Sequence, residues 1–224
     1  MKHYTREEVA RAIDHSLLHP AMTEAELSQG CRAAAGWGVA SVCVKPYFTA
    51  EARRLLEGSG VNAGTTIGFP HGGHATSVKV AEAQAALADG AQELDMVINI
   101  GKAKSGEWGY VQEEIAELVS ASHQGGALLK VIFENCYLSQ EEKRELCRIS
   151  REAGADFIKT STGYGTGGAT DEDLKLMLEG AGETMRVKAA GGVRTYEHAA
   201  RLIEMGVSRI GASRTETMLA GAAG

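Results

Sequence analysis

Two lysines set in apolar, strand-like runs that end in glycine define the chemistry open to this chain: Lys159 in Phe157-Ile-Lys-Thr-Ser-Thr-Gly163 and Lys188 in Arg186-Val-Lys-Ala-Ala-Gly-Gly192. An ammonium is costly to bury, so a strand that carries one inward either pairs it or uses its lowered pKa. Lys188 follows Lys159 by 29 positions, about one strand-helix repeat, which suits neighbouring parallel strands on which each amine perturbs the other. An amine is nucleophilic only when neutral; burial of Lys159 beside a second cation, Lys188, is the combination that makes a Schiff-base lysine at neutral pH.

Asp95 is the acid in the otherwise apolar run Glu93-Leu-Asp-Met-Val-Ile-Asn-Ile-Gly101. A carboxylate there relays protons, directly or through water, or holds a lysine in a salt bridge; the two roles are compatible. Asp14, on the first strand, is a similar case, orienting this network or serving structure. Glycine clusters at Gly163 to Gly168, at Gly191 and Gly192, and at Gly211-Ala-Ser213 follow three late strands and expose backbone N–H groups suited to a small phosphate. Cys43 sits near a strand end as a pocket wall open to modification. His71-Gly-Gly-His74 has a metal-like look, but it lies in a glycine-rich loop with no third ligand in view, and no metal is expected.

Elements at regular intervals must position these groups. Short apolar or β-branched runs recur at residues 12–18, 39–44, 61–69, 93–100, 128–134, 155–160, 185–190 and 208–212. Helices are expected at 5–12, 23–36, 49–57, 74–89, 106–124, 139–153, 171–180, 195–205 and 213–221. Capping boxes open those at Thr23-Glu-Ala-Glu26 and Ser139-Gln-Glu-Glu142, with a weaker version at Thr170-Asp-Glu-Asp173, and Thr5-Arg-Glu-Glu8 begins an extra helix before the first strand. Gly90, Gly125, Gly154, Gly180 and Gly206 fall where left-handed C-terminal residues are needed. Eight alternating units predict a (β/α)8 TIM barrel with an extra N-terminal helix, as one domain over residues 1–224. An open doubly wound sheet is the structural alternative, but its glycine fingerprint is missing after the first strand.

With 224 residues, 44% hydrophobic and 23% charged, the chain reads as an ordinary globular domain. A net charge of −6 and a pI near 5.7 argue against nucleic-acid or anionic-membrane partners. The start Met1-Lys-His-Tyr-Thr-Arg has no signal-peptide core, and the four cysteines lack paired spacing, so a cytoplasmic protein with reduced thiols is expected.

These motifs, with Ile13-Asp-His-Ser-Leu-Leu18, Ser41-Val-Cys-Val44, Ile67-Gly-Phe-Pro70 and Leu129-Lys-Val-Ile132, resemble the deoxyribose-phosphate aldolase family, class I aldolases of the (β/α)8 fold, along most of the chain. The resemblance implies a Schiff base on Lys159, tuning by Lys188, and proton transfer through Asp95 and a water. It implies phosphate held by Gly163, Gly191, Gly192 and Ser213, with Asp14, Lys130, Thr160 and Cys43 as a supporting network. The implied reaction is reversible cleavage of 2-deoxy-D-ribose 5-phosphate to acetaldehyde and D-glyceraldehyde 3-phosphate, without cofactor, by a homodimer. Three departures stand out: Arg214 where relatives carry a second small hydroxyl residue, Tyr164 after Gly163, and a tail, Leu219 to Gly224, without a terminal tyrosine. The alternatives are a Schiff-base aldolase for another phosphorylated sugar, a non-catalytic phosphosugar-binding barrel, and a metal-dependent aldolase.

Overall fold

The computed structural model describes residues 4–222, so the first residues of the N-terminal stretch and the last two of the tail lie outside the described residues. Eight parallel strands close in sequence order into a barrel: β1 (Ile13–Leu17), β2 (Ser41–Val44), β3 (Asn62–Ile67), β4 (Glu93–Val97), β5 (Leu128–Ile132), β6 (Phe157–Lys159), β7 (Arg186–Ala190) and β8 (Arg209–Ala212). The first and last strands pair, with Asp14 opposite Gly211, which closes the sheet. The helices are α1 (Arg6–Ala10), α2 (Glu24–Trp37), α3 (Thr49–Leu55), α4 (Thr76–Ala88), α5 (Ile100–Lys104), α6 (Trp108–Gln124), α7 (Gln140–Glu152), α8 (Asp171–Ala181), α9 (Tyr196–Glu204) and α10 (Thr215–Ala220).

Local chemistry explains the helix starts. Thr5 with Glu8, Thr23 with Glu26, and Ser139 with Glu142 each form a reciprocal capping box, and Thr170 caps Asp173 from one side only. The ends depart from expectation at two places. Gly90, Gly154 and Gly206 have positive φ, but Gly125 has φ −83° and Gly126 takes the left-handed turn instead. Gly180 lies inside α8, and Gly182 carries the positive φ beyond it. The apolar run expected as strand from 93 to 100 ends at Val97, because the Asn99 side chain accepts from Lys102 N at 3.1 Å and starts α5.

The core sits between barrel and helices. Strand alternation turns Leu94 and Met96 outward, against helices such as α6, whose Val111, Ile115 and Leu118 form one buried stripe. Each such side chain contributes about 1.5–3 kcal/mol on burial. The same alternation sends Glu93 and Asp95 inward, so the barrel interior is charged.

Candidate active site

At the bottom of the barrel two guanidinium groups lie over the Phe157 ring, Arg186 at 4.0 Å and Arg209 at 5.6 Å from its centroid. Arg209 then reaches Asp14 Oδ1 at 2.5 Å and Glu93 Oε1 at 3.2 Å. One level up, Lys130 Nζ is a hub, 2.6 Å from Glu93 Oε2 and 2.9 Å from both Asp14 Oδ2 and Asp95 Oδ1. Its meeting with Asp95 Oδ1 is a charge contact off the hydrogen-bond direction, which leaves that oxygen without a hydrogen bond. Lys188 donates to Asp95 Oδ2 at 2.8 Å and lies 2.6 Å from Asp14 Oδ2, while Lys159 reaches only Asp95 Oδ2, at 2.7 Å. Lys159 and Lys188 are register partners across β6 and β7, so their amines share a level at the top of the interior.

Four cations, Lys130, Lys159, Lys188 and Arg209, thus meet three carboxylates, Asp14, Glu93 and Asp95. A buried cluster with one excess charge is relieved if one cation sheds its proton, and a guanidinium does not. Lys130 touches three carboxylates, Lys188 two and Lys159 one, so Lys159 is the group that gives way. The pKa directions agree. Burial lowers Lys159, Asp95 opposes and Lys188 adds to the fall, for a net shift below the ordinary lysine value. Burial pushes Lys188 and Lys130 down as well, but their carboxylates outweigh it and hold both raised. Burial would raise Asp95 and Asp14; the surrounding cations outweigh that too, and both lie well below the usual carboxylate range.

Above the amines opens a cavity of about 530 Å³ between the loops that follow β1, β6, β7 and β8. Asp14 is the one carboxylate among its lining residues, and its oxygens are engaged by Lys130, Lys188 and Arg209. The loop after β6 is shaped by Glu134, the only non-glycine residue with positive φ (58°) among those described, whose buried carboxylate accepts from the Thr162 N–H and hydroxyl. Thr162 in turn accepts from Tyr164 N at 3.0 Å, and the Tyr164 hydroxyl donates to Leu18 O at 2.7 Å, linking the loops after β6 and β1 across the mouth. The loops after β6 and β7 touch backbone to backbone: a Cβ on Gly168 would lie 2.4 Å from Gly191 O, so no side chain fits there.

Lys159, Lys188, Asp14, Cys43, Gly163, Gly191, Gly192 and Ser213 all line this cavity. Asp95 and Lys130 lie sealed beneath it, Asp95 in contact with both amines and Lys130 with Asp95. Thr160 stands apart: next to inward-facing Lys159 it faces out, donating to Ala190 O and accepting from Ala190 N, both at 3.0 Å, so it clamps β6 to β7. The Cys43 thiol is pushed up to about 11, chiefly by burial, which makes it a wall rather than a thiolate. His71 and His74 are exposed, and among the described residues no three His, Cys, Asp or Glu side chains group as a metal site. A second concavity, about 470 Å³ between α4 and α6, is remote from the strand ends. Sequence reasoning missed Glu93, Arg209, Glu134 and Arg194, which also lines the cavity; two-residue alternation from Asp95 and from Gly211 would have pointed to the first two.

Residues 8–223 match the family described as DeoC/LacD family aldolase. The chain is 52% identical over 219 residues to a deoxyribose-phosphate aldolase of Rhodopirellula baltica, covering 98% of this chain and 91% of that protein. It is 49% identical over 217 residues to a deoxyribose-phosphate aldolase of Thermococcus gammatolerans, covering 96% of each. Among solved structures it is similar to a tetrameric deoxyribose phosphate aldolase from Aeropyrum pernix, with TM-score 0.90 and 33% identity over 96% of this chain and 91% of that one.

Proposed function

From this chain's membership of the DeoC/LacD aldolase family, we propose that it is a class I aldolase that reversibly cleaves 2-deoxy-D-ribose 5-phosphate to acetaldehyde and D-glyceraldehyde 3-phosphate. The observation that carries the reading is the excess cation of the barrel interior, which leaves Lys159 as the proton-poor amine at the floor of the cavity. Neutral Lys159 Nζ attacks C1 of the open-chain sugar, and loss of water from the carbinolamine gives an iminium. The two-carbon product requires that the C2–C3 bond breaks, not C3–C4. The proton of the C3 hydroxyl leaves to the water of the Asp95 relay, C3 becomes the aldehyde carbon of glyceraldehyde 3-phosphate, and the bonding pair moves through C2 and C1 to nitrogen, forming an enamine. Protonation at C2 and hydrolysis release acetaldehyde and return Lys159.

Lys188 stays protonated beside the reacting nitrogen and disfavours a second positive charge there until the carbonyl is attacked. Asp95, below both amines, exchanges protons through them and a water rather than by direct contact with the sugar. The phosphate rests on backbone N–H groups at Gly163, Gly191 and Gly192 and on Ser213, at the cavity edge. We also propose that the chain works in the cytoplasm as a homo-oligomer; light scattering distinguishes the expected dimer from a tetramer. Among the described residues no helix is long and apolar enough to cross a membrane.

Acetaldehyde and borohydride, followed by intact-mass analysis and peptide mapping, test the reading. One ethyl group on Lys159 together with cleavage of deoxyribose 5-phosphate supports it. No adduct, or adducts confined to surface lysines, removes Lys159 as nucleophile. An adduct without that cleavage redirects the search to other phosphorylated sugars.

A further inference from the structure

Two guanidinium groups face the cavity from adjacent loops, Arg194 after β7 and Arg214 after β8. Both side chains are exposed, and neither has a hydrogen-bond or ion-pair partner among the described residues. The chain carries a net charge of −6, yet beside the proton-poor Lys159 its cavity presents the cations Lys188, Arg194 and Arg214 against the single, already engaged carboxylate of Asp14. That is a local field for an anion with more than one charge. Arg214 is also set firmly. The next residue, Thr215, is fully buried, lies 2.9 Å from His15 Nδ1 and donates to Ala212 O, so the backbone that carries Arg214 is tied to the end of β8.

We propose that Arg214 is a specificity-determining residue that holds the terminal phosphate of the substrate from the β8 side, alongside Arg194 on the neighbouring loop, and so raises the preference of this chain for phosphorylated over free sugar. The proposal deepens the aldolase reading and rests on it. Backbone N–H groups and Ser213 offer a phosphate only partial charges; a guanidinium adds a full charge and a two-pronged fork matched to two phosphate oxygens. The amines lie at the opposite end of the bound sugar, so Arg214 acts on discrimination and not on bond breaking.

The test compares wild type, Arg214→Ser and Arg214→Lys with 2-deoxyribose 5-phosphate and with 2-deoxyribose, and titrates each protein with inorganic phosphate by calorimetry. In Arg214→Ser the ratio of kcat/KM for the phosphorylated sugar to that for the free sugar falls about tenfold or more, mostly through KM. Arg214→Lys, which keeps the charge without the fork, recovers part of the ratio, and phosphate affinity follows the same order. A ratio unchanged within about twofold, or a loss shared equally by both sugars, overturns the proposal. The calorimetry stands apart from the reaction: if no variant cleaves either sugar, the aldolase reading fails, while weaker phosphate binding by Arg214→Ser still supports the Arg214 site and equal binding overturns it.

Discussion

Lys159 and Lys188 share one oxygen atom: Asp95 Oδ2 lies 2.7 Å from the first amine and 2.8 Å from the second. Two ammonium groups on one carboxylate oxygen repel each other, and Lys188 is anchored a second time by Asp14 while Lys159 is not. The asymmetry assigns the proton. It also makes the two lysines unequal under mutation.

Replacing Lys188 with Met removes the excess charge, leaving three cations for three carboxylates. Lys159 then keeps its proton, and its pKa rises, because the neighbouring cation that helped lower it is gone. Turnover at pH 7 falls by about a hundredfold or more. Borohydride trapping of acetaldehyde on Lys159, weak at neutral pH, recovers as pH rises; trapping that is unchanged at pH 7 would remove Lys188 as the tuning group.

Asp95→Asn acts in the opposite sense on the amine. Lys159 loses its one carboxylate contact and gives up its proton more readily, so trapping at Lys159 persists. Turnover falls by about 10²–10⁴ because the proton relay is broken. Stability falls by about 3–5 kcal/mol, since three buried lysines lose a counter-ion. Denaturant melts and single-turnover trapping separate the two effects, and a variant that turns over normally excludes Asp95 from proton transfer.

His15 predicts an acid-side loss of stability. Burial holds its imidazole down at about 4 against an ordinary 6.5, with a backbone bond at Ala212 opposing. The unfolded chain therefore binds a proton that the folded state refuses between those values, and stability falls as pH drops from about 6.5 to about 4. The size is about 3 kcal/mol at most. In His15→Asn the slope of unfolding free energy against pH over that window is smaller by up to one proton; an unchanged slope would assign the loss elsewhere.

Lys79 and Glu114 form a fully buried ion pair at 2.6 Å between α4 and α6. Lys79 also donates to Val97 O at 2.7 Å, and Glu114 accepts from Asn99 N at 2.8 Å, so the pair fastens the chain just after β4. Burial lowers the lysine and raises the acid despite their attraction, which shows desolvation prevailing. Lys79→Met or Glu114→Leu alone costs about 3–5 kcal/mol, while the double variant regains most of it. A double-mutant cycle with additive losses would contradict this.

Much of the barrel and the upper site was legible from residue type and spacing. Lys159 and Lys188 stood out because a charge in an apolar run is costly unless it is paired or reactive, and the glycines after them marked the cavity loops. Glu93 and Arg209 did not, because each sits at the first residue of its strand, where a charge usually meets solvent; only closure of the barrel turns both inward. Thr160 was grouped with the network through resemblance, although alternation from Lys159 places it on the other face. Glu134 left no mark because a left-handed backbone at a glutamate has no sequence signature; it follows from the Thr162 contacts, which exist only in the folded chain.

The contact of Gly168 with Gly191 joins the loops after β6 and β7 into a unit of inheritance. A side chain on one strikes the backbone of the other, so a graft or insertion in either loop needs a matching change in its neighbour. The loop after β1 is held through its backbone carbonyls, Leu18 O accepting from the Tyr164 hydroxyl and Pro20 O and Met22 O accepting from Lys45, so its side chains can change while these bonds stay in place. Variant libraries for bulkier acceptor aldehydes therefore belong on the β1 side of the mouth, with the two glycine loops exchanged only together.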